Sequence, residues 1–201
     1  MKILLINLLL LLSFYSFSQS ISNNFQKTAN EVKAQSKIDK NDKSALNLIE
    51  NFYNDALQSD KGELEAKTIN KLQAFMESES SKNKHLITLF LIYQEHITET
   101  AAKGLMPDSR FQVIATNAIE KEFKNIYGVT PVIIYIYKAE ALSSDKKSEE
   151  AKDIVKRGLE NYPDSIPLKV YKYLDTKDEN LKKDLILNHP RHWLVLQNKI
   201  I

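Results

Sequence analysis

Apolar residues recur every three or four positions along most of the chain, and this spacing limits the possible folds more than any other feature. In the first such segment, residues 45–57, the apolar side chains fall on one face of a helix, and Asp42 precedes it as a candidate N-cap. Similar segments follow, separated by polar clusters, glycine or proline, and no β-hairpin signal interrupts them. The sequence therefore predicts an all-α fold.

Two apolar segments also fit strands. Residues 86–93 are apolar except for Thr88, and residues 132–137 contain four β-branched residues and two tyrosines. Segment length and flanking residues favour helices in both places. We expect one helical domain over residues 42–201, preceded by a polar linker or weak helix over residues 19–41. The predicted helices span about 42–57, 63–77, 85–102, 107–127, 131–143, 148–162, 165–174, 178–188 and 191–200.

The first residues have the three-part layout of a secretory signal peptide. Residues 2–12 combine one positive charge with a nearly unbroken apolar run, and Ser16 and Ser18 precede a candidate cleavage point before Gln19. A membrane anchor would need about 20 apolar residues, which is longer than this run. We therefore expect residues 1–18 to be removed. Small residues followed by glutamine resemble the signal peptides of Bacteroidetes and imply export, to the periplasm more than to the exterior.

The composition excludes several functional classes. The chain has no cysteine, so it cannot carry a lipoprotein anchor, a disulfide or a thiol nucleophile. Its formal net charge of +2 falls to about +1 without residues 1–18, because Lys2 is the one charged residue removed. Nucleic-acid-binding proteins usually carry a strongly basic, clustered charge. We expect no nucleic-acid partner, and no membrane span after cleavage.

Residues 135–163 place aromatic, small and bulky side chains in a distinctive order: Tyr135, Ala139, Leu142, Ala151, Val155, Gly158 and Pro163. This order resembles the tetratricopeptide repeat, a pair of helices of about 34 residues. Small residues in such a pair allow the helices to approach closely, and proline follows the second helix. Lys138 departs from the pattern, which usually has leucine there. The resemblance implies a short α-solenoid of stacked antiparallel helical hairpins, with an irregular helical bundle as the alternative.

The same resemblance implies a groove that binds a protein or peptide partner, lined by the first helix of the pair. Transferred to this sequence, the groove positions are Ile133, Ile136, Glu140 and Ser143. The two isoleucines would form an apolar floor, and Glu140 would favour a basic partner. Alternatively, a neighbouring helix covers these residues, since a helix that is apolar on all sides is usually buried.

Candidate catalytic groups are few. His85 and His96 fall on one helix face because eleven residues make about three turns, and Glu99 lies one turn beyond His96, but a metal site would need further ligands. No serine lies in a Gly-x-Ser-x-Gly elbow, and four glycines do not build a phosphate loop. We expect a non-catalytic interaction module or scaffold of the bacterial envelope, with no cofactor. The alternatives are a metal-dependent helical hydrolase and a carrier of a small ligand.

Overall fold

A computed structural model describes residues 21–201, and every regular element within that range is a helix. The prediction of an all-α fold is therefore confirmed for this part of the chain. The predicted signal peptide, residues 1–18, lies outside the described residues. Among residues 21–201, no helix is both long and apolar enough to cross a membrane. The helices are α1 (Ile21–Ala34), α2 (Ser44–Tyr53) with a π-helical extension (Asn54–Gln58), α3 (Ala66–Glu77), α4 (Lys84–Ala102), α5 (Ser109–Tyr127), α6 (Val132–Ser144), α7 (Ser148–Asn161), α8 (Ile166–Thr176), α9 (Glu179–Asn188) and α10 (Trp193–Gln197).

Helix α1 is part of the core, although most of its residues are polar. It packs against α4 and α5, and it buries Phe25 and Ala29 on one face. The Phe25 ring meets the Phe111 ring edge to face at a centroid distance of 5.5 Å. Residues 21–34 are therefore a docked helix, so of the two alternatives expected for residues 19–41, a polar linker or a weak helix, this segment takes the helical one. Two apolar side chains in one helix are a weak sequence signal, and tertiary packing decides the outcome.

Helix α6 lies at the centre of the molecule and packs against α2, α5 and α7. Nine of its 13 residues are buried, which leaves no broad polar face. A helix that is apolar on all sides is stable only when neighbours surround it. The strand alternative at residues 132–137 is therefore wrong, and so is the one at residues 86–93, which belong to α4.

Helix α5 begins after a polar N-cap residue and ends at a glycine. Asp108 accepts hydrogen bonds from two backbone N–H groups of the first turn, and Gly128, with φ 73°, ends the helix in the left-handed conformation that glycine adopts easily. Helix α6 begins one residue later than predicted, with Pro131 as its N-cap. The Thr130 hydroxyl does not cap the helix; it donates to the Glu120 carboxylate at 3.4 Å.

Helices α6 and α7 form a close hairpin. Gly158 makes the close approach possible, because a Cβ atom at that position would lie 2.8 Å from Leu168 Cδ1 and 3.1 Å from Tyr135 Cβ. The requirement for a small side chain there, inferred from the repeat pattern, matches this contact. The remaining pattern positions are buried (Ala139, Leu142, Ala151), partly buried (Val155) or follow the end of α7 (Pro163).

The last three helices form a smaller apolar cluster beside the main core. His192 ties this cluster to the rest of the chain: its Nε2 lies 2.9 Å from the Leu57 carbonyl oxygen, and its Nδ1 accepts the Leu194 N–H at 3.2 Å. The Trp193 ring covers Gly62. The buried apolar residues of the cluster are Ile166, Val170, Leu185, Leu194, Val195 and Ile200.

Candidate functional site

The apolar floor that the repeat resemblance implied is part of the core. Ile133 and Ile136 are both 0% exposed, so neither side chain is open to a partner. The neighbours of α6 cover these positions, which is the alternative that the apolar character of the helix allowed. The groove prediction is therefore corrected for these two residues. Ser143, at the end of α6, is exposed.

Glu140 is engaged within the protein. Its carboxyl oxygen Oε1 accepts a hydrogen bond from the Tyr171 hydroxyl. Burial raises the pKa of Glu140, although the Tyr171 hydrogen bond acts in the opposite direction. A carboxyl group that is partly buried, paired with a phenol and easier to protonate than usual is a poor anchor for a basic partner. The expectation that Glu140 selects a basic partner is therefore not supported by its surroundings.

The three candidate metal ligands do not converge. His85 is buried, and its nearest acidic partner is Glu122, with 3.7 Å between Nε2 and Oε2. His96 accepts the backbone N–H of Asp108 through Nε2 at 3.0 Å, which uses one of the two ring nitrogens that could bind a metal. Glu99 pairs with the lysine four residues further along. Within residues 21–201, no group of three or more His, Asp or Glu side chains is placed to hold a metal ion.

A charged depression lies on the surface of α5, α6 and α7. It is open to solvent and has a volume of about 390 Å³. Four cationic side chains surround one carboxylate in it, which leaves a formal surplus of three positive charges. We call it the Glu120 depression, and it is lined by Asn117, Glu120, Lys121, Lys124, Asn125, Lys138 and Arg157.

Glu120 lies at the floor of this depression and is only 7% exposed. Lys124 donates to Oε1 at 2.7 Å, and Lys138 donates to Oε2 at 2.5 Å. Arg157 approaches Oε1 at 3.7 Å with its guanidinium Nη2. Burial alone would raise the pKa of Glu120, but the hydrogen bonds from Lys124 and Lys138 outweigh it and lower the pKa. Glu120 is therefore ionised at neutral pH.

The helices position these side chains in a simple way. Asn117, Glu120, Lys121 and Lys124 follow one face of α5, because residues three, four and seven apart are neighbours on a helix. Lys138 comes from α6, at the position where the repeat pattern usually has leucine. Arg157 comes from α7, which the close α6–α7 hairpin brings alongside. In the sequence, the only signal of this site was Lys138, which stands where the repeat pattern has leucine. The other charges come from separate helices and form no local run along the chain.

The Glu120 depression presents several cationic donors around a single carboxylate. Lysine offers a compact charge with three donors, and the planar arginine guanidinium matches a carboxylate or phosphate. Comparison of the chain with protein-family models, curated proteins and solved structures gives no match. Function is therefore inferred from the chemistry of these side chains.

Proposed function

We propose that the chain is an exported, non-catalytic interaction module that binds an acidic segment of a partner protein in the Glu120 depression. The observation that carries the proposal is the surplus of three positive charges around a carboxylate that is already paired. Charge complementarity of this kind fixes the orientation of a partner and accelerates its association. Carboxylates of the partner would supply the negative charges that balance this surplus.

Two of the cations are accessible to a partner. Lys121 forms no ion pair with any residue that the structure describes, and Arg157 is about half exposed, 3.7 Å from Glu120. Both stand on helices held by the core, so their backbone positions are set before a partner arrives. A backbone that is already ordered adds no further ordering cost to binding. A few cations in one small depression suit a short acidic segment better than the long backbone of a nucleic acid.

The wider setting of this proposal comes from the sequence. We propose that residues 1–18 are a signal peptide and that the mature protein acts in the periplasm. We also propose that α6 and α7 form one tetratricopeptide-like pair, with degenerate helical pairs around it. In this arrangement the partner binds at the side of the pair where Lys138 and Arg157 emerge, because the buried isoleucines leave no open groove on α6.

Fluorescence anisotropy with a labelled hexaglutamate peptide tests the proposal. Lys121→Glu combined with Arg157→Glu should weaken binding by about tenfold or more, because the variant replaces attraction with repulsion at the depression. The matched control is Lys67→Glu with Lys71→Glu, which makes the same change of net charge on the exposed side of α3. The control should bind within about twofold of the wild type, because screening removes most long-range effects.

A hexaglutamine peptide should not bind, because the attraction depends on carboxylates. Equal affinity of the wild type and the Lys121→Glu, Arg157→Glu variant for hexaglutamate would refute the proposed site. Equal loss of affinity in the α3 control would show that only the net charge of the protein matters.

A further inference from the structure

We infer that Glu120 is an internal competitor for the partner's carboxylates and thereby selects multivalent acidic ligands over single anions. This inference rests on the proposed function. In the free protein Glu120 occupies Lys124 and Lys138, so a partner carboxylate that reaches the floor of the depression shares or takes over those donors. The residue therefore sets how tightly the depression binds and which ligands it accepts.

The geometry places the Glu120 carboxylate where a bound anion would sit. Each of its oxygens accepts a lysine ammonium, at 2.7 Å from Lys124 and 2.5 Å from Lys138. Lys124 is 51% exposed, so its ammonium remains within reach of a ligand in the depression. Lys138 is 16% exposed and is held more firmly beside Glu120.

A purely structural ion pair does not account for this arrangement. One carboxylate balances one charge, whereas the depression contains four cationic side chains. The surplus cations repel one another, which is unfavourable unless a further anion joins them. Lys138 is accounted for as a partner of Glu120, whereas the four cations together exceed what one carboxylate balances. The surplus of positive charge on the exposed side of the depression is therefore available to a ligand anion.

Competition by Glu120 also indicates the class of ligand. A single carboxylate drawn to Lys124 comes close to the Glu120 carboxylate, and like charges at short range repel. A segment with several carboxylates can at the same time contact Lys121, which forms no ion pair with Glu120, and the half-exposed Arg157. Multivalent contact offsets the local repulsion. Short acidic runs should therefore bind well and isolated anions such as acetate poorly.

The test is Glu120→Gln, which keeps the shape of the side chain and removes its charge. Hexaglutamate should bind about tenfold tighter to this variant than to the wild type, and acetate should compete more effectively. The matched control is Glu63→Gln, an exposed residue between the π-helical extension and α3 that changes net charge equally. It should alter the affinity by less than about twofold.

This inference is overturned if Glu120→Gln binds hexaglutamate no more tightly than the wild type does. The proposed function stays intact in that case, provided that binding by the wild type depends on Lys121 and Arg157. If binding does not depend on Lys121 and Arg157, the proposed function itself fails. Should Glu120→Gln not fold, Glu120→Gln combined with Lys138→Met replaces it, because the local charge surplus then stays at three. Binding tighter than that of the wild type supports competition, and unchanged or weaker binding overturns it.

Discussion

Replacing Phe25 with alanine should destabilise the whole protein, because the first helix is held to the core through this side chain. Phe25 is 2% exposed and meets Phe111 edge to face at 5.5 Å. A buried aromatic side chain removes about 150–250 Å² from water, and about 25 cal/mol per Å² gives about 4–6 kcal/mol as an upper bound. Alanine retains part of this contact. We therefore expect the free energy of unfolding to fall by about 3–4 kcal/mol, within the usual range for such a truncation.

Urea-induced unfolding followed by far-UV circular dichroism measures this change. The matched control is Gln26→Ala, the next residue of the same helix, whose side chain is exposed. The control should change the free energy of unfolding by less than about 0.5 kcal/mol. If Phe25→Ala is as stable as Gln26→Ala, then α1 does not pack on α4 and α5, and its interpretation as a docked helix is wrong.

Two further predictions concern stability. Gly62→Ala should lower the free energy of unfolding in urea by about 2–3 kcal/mol, because Gly62 has φ 65° and a Cβ atom would lie 2.6 Å from the Trp193 ring. The control Gly104→Ala, at φ 67° in open space, should lower it by only about 1 kcal/mol. Equal losses would contradict the packing argument. Burial lowers the pKa values of His96 and His192 below the ordinary 6.5, and each uses a ring nitrogen as an acceptor, so both favour the neutral form. Their stabilising contribution is present above pH 6.5 and is lost as the pH falls below that value. The urea midpoint should therefore drop between about pH 7.5 and about pH 5.5. An unchanged midpoint would argue against a contribution of these two histidines.

Periodicity located the helices well where one face of a helix is buried and the other is polar. Helix α5 is such a case, with Asp108 and Gly128 at its ends. The pattern was ambiguous at α6, since a helix buried on nearly all sides loses its polar face and then resembles a buried strand in sequence. The apolar periodicity was weakest at α1, where only Phe25 and Ala29 hold an otherwise polar helix in place.

The candidate site was harder to predict than the fold. Formal charge along the chain is nearly balanced, so neither composition nor local runs indicate a basic surface. The surplus arises only when α5, α6 and α7 bring Lys121, Lys138 and Arg157 together. The groove prediction failed for a related reason: a repeat pattern defines which helix faces pack within one pair, whereas burial of Ile133 and Ile136 depends on helices outside it.

The close α6–α7 hairpin links the fold to the proposed function. Gly158 allows Tyr135 on α6 to approach the backbone of α7, and Arg157 is the residue next to Gly158. The same approach therefore brings the Arg157 guanidinium within 3.7 Å of Glu120 on α5. Lys138 lies three residues after Tyr135 and reaches Glu120 from α6 at 2.5 Å. A leucine at 138 would satisfy packing but would leave the partly buried carboxylate of Glu120 with one lysine fewer, and an unpaired buried charge is costly. The lysine that breaks the repeat pattern thus supplies the donor to Glu120 Oε2, a role that a leucine could not fill.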